Sequence, residues 1–277
     1  MSDKQTDLGL FNIPIPDFTP NPNFKRDAYQ DAKDNKNAFS NWFGAVQTSG
    51  VRFPETITHP LSIDLQSSMM GEPAETDLEK EVDQLVSVIA QFGEKHGFPL
   101  FIKTSFTSSK HYFEESCSLP SADRDVVMQH VYNLYEYQSM CSPHPFTPEL
   151  IIREMIEVDP VFHAFANMPV TEEFRVFARD GKLEAYQPYW PVAAIENPSV
   201  TDWKERLATI KSPKAEDLKY MTEYAEKISK SLGGYWSVDF LRGKDGRLWL
   251  IDMADGNQSY VNKIDLVRVL DESSPEP

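Results

Sequence analysis

With 277 residues, of which 40% are hydrophobic, the chain can bury a sizeable core as one large domain or two modest lobes. No stretch approaches the roughly 18 apolar residues of a membrane helix. A formal charge of -16, from 43 acidic against 27 basic residues, is repelled by nucleic-acid phosphates, so neither a membrane nor DNA or RNA is expected as the main partner.

The start lacks the apolar region of a signal peptide, and Cys117 and Cys141 have no metal or redox spacing, so a reduced, cytoplasmic setting is expected. Residues 1–24, rich in Pro, Asn and Asp, read as extended or partly disordered. A helix is predicted over 27–46, ending near Gly44, and the Pro-punctuated stretch 51–73 reads as irregular or edge strand. Leu78, Val82, Leu85, Val86, Ile89 and Phe92 recur at helical spacing before Gly93 and Gly97. Residues 98–104 form an apolar strand with Lys103 near its end, and a Ser/Thr-rich loop leads to Lys110 and His111. A second helix is predicted from a Ser121 cap towards Met140. Strands are expected at 149–157, 173–179 and 182–188, the last two as a hairpin. A long amphipathic helix stops at Gly233, and a final hairpin, a short helix and an acidic tail follow. Helices mixed with antiparallel hairpins make an α+β fold.

The final hairpin carries the sharpest chemistry. If Gly243 faces Gly246, Asp239 falls opposite Leu250 and Asp252 opposite Ser237, with both carboxylates on one face and Val238, Phe240, Trp249 and Ile251 on the other. Two such carboxylates repel each other unless a divalent ion, itself carrying phosphate oxygens, sits between them; Asp255 offers a third oxygen. The competing reading is that they are ordinary turn and cap residues. With no P-loop and no GxGxxG, cations for phosphate must come from elsewhere. Lys103 at the end of an apolar strand, Lys110 beyond the loop and Arg175 among apolar neighbours are the candidates, set against a snorkelling lysine, a plain loop and a surface salt bridge. Residues 151–158 suit a hinge strand whose backbone is open to a base, or an amphipathic edge strand with Arg153, Glu154 and Glu157 in solvent. Tyr189 and Trp190 line a pocket or fill core.

Taken in chain order, the segments around Lys103, Lys110, 152–157, Glu173–Phe177 and Asp239–Asp252 resemble the ATP-grasp fold over roughly 95–262. The likeness is to small ATP-grasp proteins of bacteria and phages, and more distantly to the eukaryotic cell-division-cycle proteins that help assemble translation initiation factor 2. It implies two α+β lobes gripping ATP and Mg²⁺, with an arm and helix over 1–73, an N-lobe and hinge over 74–157, a C-lobe over 158–270 and a tail over 271–277. It further implies phosphate contacts from Lys103 and Lys110, adenine at Glu154, Met155, Ile156 and Glu157, and ribose at Glu173. Arg175 joins Lys110 as a catalytic candidate on the phosphates, and Asp239, Asp252 and Asp255 hold metal. The implied activity is ligation of a carboxylate to an amine or thiol through an acyl-phosphate; the alternatives are an ATP-binding assembly chaperone of a protein partner, or an interaction protein with a decayed site. One departure stands out: Ala254 occupies the position where the family usually has asparagine, leaving Asp255 or Asn257 to substitute.

Overall fold

A computed structural model describes residues 21–269; the arm expected over 1–20 and the tail from 270 onward lie outside them. Two helices open the described chain, α1 (Phe24–Asp34) and α2 (Phe39–Ser49), where a single helix over 27–46 was expected. The break falls at Asn35, whose side-chain oxygen accepts the Asn37 N–H at 2.7 Å while its carbonyl accepts from the Asn41 side chain at 2.8 Å. That local bonding offers the backbone an alternative to the helix ladder. The second helix passes through Gly44 and stops at Gly50, which takes the left-handed φ of 79° suited to glycine.

Next come β1 (Thr56–Pro60), an edge strand, and the unanticipated α3 (Ile63–Met69), capped by Ser62. The predicted stripe Val82, Leu85, Ile89 and Phe92 is the buried face of α4 (Glu79–His96). There follow β2 (Leu100–Thr104), β3 (Ser118–Leu119), α5 (Arg124–Cys141) and β4 (Glu149–Glu154). The cap of α5 is Asp123 and not Ser121: its carboxylate accepts the N–H groups of Asp125 and Val126 at 3.0 and 3.2 Å. The first sheet has the order β1-β4-β2-β3, antiparallel throughout. Leu100, Ile102, Leu150 and Ile152 point from it into a core shared with α4 and α5.

Beyond 155–161 the chain forms the small hairpin β5 (Phe162–Ala164) and β6 (Met168–Val170), then β7 (Glu173–Arg179), β8 (Lys182–Pro188), α6 (Trp203–Ala208), α7 (Ala215–Leu232), β9 (Tyr235–Arg242), β10 (Leu248–Asp255) and β11 (Val267–Arg268). The second sheet, also antiparallel, runs β10-β9-β7-β8-β11. No helix follows the last hairpin among the described residues; the chain turns and returns to the sheet as β11. A second core lies on this sheet, where Phe174, Val176, Val238, Phe240 and Leu250 meet Met221, Ala225 and Ile228 of α7. Phe39, Trp42 and Val46 of α2 complete it, so the N-terminal helices are part of the fold's interior.

Candidate functional site

Strand alternation places the chemistry. With Leu100 and Ile102 committed to the first core, Phe101 and Lys103 face away from it; with Leu150 and Ile152 committed, so do Ile151 and Arg153. The β2/β4 register sets Phe101 opposite Arg153 and Lys103 opposite Ile151. On the second sheet, Phe174 and Val176 enter the core, and Glu173 and Arg175 face the other way, Arg175 directly opposite Asp239 on β9. Two functional faces, one per sheet, thereby meet across a cleft of about 700 Å³.

The expected register of the final hairpin is overturned. Its turn spans 243–247, Leu248 pairs with Arg242, and a bulge at Ile251 brings Asp252 directly opposite Asp239 instead of diagonal to it. The extra residue also changes the faces: Leu248, Leu250 and Met253 fill the core, and Trp249 and Ile251 do not. Ile251 and Asp252 both line the cleft. Arg153, which reaches across to donate to the Ile251 carbonyl at 2.5 Å, pins the bulge.

Three ion pairs fill the cleft. Lys103 Nζ lies 2.6 Å from Asp252 Oδ2, and Lys110 Nζ lies 3.1 Å from Glu173 Oε1; both pairs join the first half of the chain to the second sheet. Arg175 grips Asp239 with two N–H donors at 2.7 and 2.8 Å, the planar fork matched to a carboxylate. Burial alone would raise the Asp252 carboxyl, but Lys103 and Arg153 outweigh it and hold it below the usual aspartate range. Burial opposes the Lys110 charge, yet Glu173, Tyr189 and Asp239 more than compensate and raise its pKa above that of a free lysine. Burial wins at Glu173, which is pushed up despite Lys110.

Arg153 was not among the residues singled out from sequence, where it read as solvent-facing. It is 3% exposed, lies over the Phe39 and Phe53 rings, and is brought down to about 10 by burial. Its Nε and Nη2 have no partner among the described residues, nor does Glu173 Oε2. Buried donors of a charged group are rarely left unmade. The signal available in sequence was an arginine closing the apolar run Leu150, Ile151 and Ile152.

Glu154, Met155 and Ile156 line the cleft with Lys103, Lys110, Glu173 and Asp252. Past Glu154 the strand leaves its sheet, and no backbone pairing of Met155 or Ile156 is made among the described residues. Glu157 is elsewhere: its exposed side chain pairs with Lys244 at 3.4 Å. Arg175 lines a second, adjoining chamber rather than the cleft itself. Asp255 is not brought to the other aspartates: its Oδ1 accepts from the Asn257 backbone and side chain at 3.0 and 3.1 Å and lies 3.3 Å from Lys36 Nζ. Asn257 is thereby turned back on Asp255, and neither replaces the asparagine missing at Ala254. Among the described residues, no three His, Cys, Asp or Glu side chains converge as a metal cage.

Comparison with known families matches residues 91–272 to an ATP-grasp domain, family 3 of its clade. The chain belongs to this family. Its α+β architecture is the ATP-grasp fold. Similar solved structures include D-alanine–D-alanine ligase from Bacillus anthracis complexed with ATP (14% identity, 78% of this chain and 52% of that one, TM-score 0.40). ATP-grasp ligase PsnB complexed with precursor peptide PsnA2 and AMPPNP is another (10%, 79% and 49%, 0.42), as is Cdc123 from Schizosaccharomyces pombe (14%, 83% and 85%, 0.47). The chain spans about half the length of the two ligases. No curated protein sequence matches it.

Proposed function

We propose that this ATP-grasp chain binds ATP with Mg²⁺ in the cleft between its sheets and activates a carboxylate for ligation to an amine or thiol. The observation that carries the reading is the set of cation–carboxylate pairs beside an apolar slot whose hinge backbone is unpaired among the described residues. Within the cleft these charges neutralise one another. A metal-chelated triphosphate offers both halves of each pair a better partner: anionic oxygens for the ammonium groups and a dication for the carboxylates. Lys103 and Lys110 would move to phosphate oxygens, and Arg153, already short of acceptors, would gain one. Glu173, with one unbonded carboxylate oxygen, would accept from a ribose hydroxyl, and the base would lie against Met155 and Ile156.

The donor set fits magnesium, which is ordinarily held by one or two carboxylates together with substrate phosphates and water. Asp239 and Asp252, direct cross-strand neighbours on one face, would supply them. When bound, the ion would neutralise charge on the transferring phosphoryl group. Arg175, anchored by Asp239, would stabilise charge at the far end of the cleft, and the reaction needs no covalent nucleophile from the chain.

A second reading, ATP binding without turnover by an assembly chaperone, is favoured by one observation: Ala254 provides no donor, and Asn257 is occupied with Asp255. Hydroxylamine trapping separates the two, since acyl-phosphate formation gives a hydroxamate and a chaperone gives none. Under both readings Lys103→Met should weaken Mg·ATP binding at least about tenfold, or 1.4 kcal/mol, by calorimetry. Unchanged affinity in a folded variant would remove Lys103 from the site.

A further inference from the structure

Beyond Lys110 the cleft adjoins a chamber of about 1000 Å³. Its walls are aromatic: Tyr137, Tyr189, Trp190, Tyr260 and the His111 ring, which lies flat on Phe165 with 4.4 Å between centroids. Trp190 is 4% exposed, and its indole N–H has no partner among the described residues. Two cations contribute to the wall. Lys110 and Arg175 lie over the Tyr189 ring at 4.4 and 4.9 Å, and Arg175 Nη1 has only a 3.4 Å contact to the Tyr260 carbonyl. Among the described residues, no aspartate or glutamate lines the chamber. The neighbouring carboxylates, Glu173 and Asp239, are engaged by these same two cations.

We infer that the chamber binds a carboxylate carried on an aromatic ring and bearing no ammonium group. Resting on the reading above, this makes such a molecule the acceptor class of the cleft. The carboxylate would lie towards Lys110 and Arg175, the side nearest the phosphates, and the ring would pack among Tyr189, Trp190 and Tyr137, where ring–ring contacts strengthen binding beyond the area they bury. An α-amino acid is disfavoured on charge alone, because its ammonium would face two cations with no carboxylate left to pair it.

Three ligands that differ by one group decide the matter: 3-phenylpropanoate, L-phenylalanine, which adds the ammonium, and propanoate, which lacks the ring. Each is titrated calorimetrically into the chain alone and into chain saturated with Mg²⁺ and a non-hydrolysable ATP analogue. We expect 3-phenylpropanoate to bind at least about tenfold more tightly than either of the others. Equal or tighter binding of L-phenylalanine or propanoate, or no binding of 3-phenylpropanoate, overturns the inference. The analogue titration is read separately: failure of the nucleotide to bind sinks the ATP reading, whereas the titrations of the chain alone still decide the ligand class. Placement is tested by Ala193→Asp on the exposed rim. A melting temperature equal to that of the parent chain with at least about fivefold weaker 3-phenylpropanoate binding supports it, and unchanged affinity in the folded variant places the ligand elsewhere.

Discussion

Arg153 shows how a residue can be costly to the fold and useful to the site. Its guanidinium is buried beneath two phenylalanine rings with two nitrogens unbonded among the described residues, an arrangement that an apolar side chain of similar length would relieve. Arg153→Met is therefore expected to leave the melting temperature unchanged or raise it by several degrees, equivalent to about 1 kcal/mol, while weakening Mg·ATP binding. A fall in melting temperature with intact affinity would mean that Arg153 serves only to pin the Ile251 bulge. The role of this residue was hidden in sequence because alternation alone does not say which side of β4 faces water and which faces a second sheet. Lys103 was legible for the opposite reason: an ammonium at the end of an apolar strand needs an anion, and it has one in Asp252.

Among the elements, the loop carrying Lys110 is tied to β7 by the pair with Glu173, whose carboxyl burial already pushes up. Lys110→Met removes that ion-pair partner and should raise Glu173 further. A carboxyl whose folded pKa lies above its unfolded value loses stability as pH rises through the folded pKa and retains it below the unfolded one. The variant should thus be destabilised by about 3 kcal/mol at pH 8 and much less at pH 5, with Lys110→Met/Glu173→Gln flat over that range. Urea unfolding at the two pH values checks it; a single-variant loss that does not depend on pH would contradict the coupling.

The strands and long helices of this region could be read from periodicity, as β7, β8 and α7 show. The bulge could not, because one extra residue leaves no mark in an alternating pattern, and it exchanged the faces of Trp249 and Ile251 for those of Leu250 and Met253. The division between α1 and α2 went unread for a similar reason: the Asn35 turn depends on side-chain bonding, not on hydrophobic spacing. Asp255 was assigned to the metal by proximity in sequence, but β10 carries it towards Lys36.

For the molecule as a whole, the family match begins at 91, yet β1 is part of the first sheet and Phe39, Trp42 and Val46 are buried against the second. A chain beginning at residue 91 would expose that surface, and losing a buried Trp side chain alone typically costs about 3–5 kcal/mol. It is expected to show no cooperative thermal transition by circular dichroism, whereas melting within a few degrees of the full chain would make the first 90 residues an accessory. The same architecture explains why two cleft pairs join the two sheets: the chain's own opposite charges hold the facing surfaces together.

A crystal structure with Mg²⁺ and a non-hydrolysable ATP analogue tests this exchange of partners most directly, through the separation of Lys103 Nζ from Asp252, now 2.6 Å. The expected result is a separation beyond roughly 4 Å, outside ion-pair range, with Nζ on a phosphate oxygen and the Asp252 carboxylate on the metal. A nucleotide bound with that pair still closed would contradict the account.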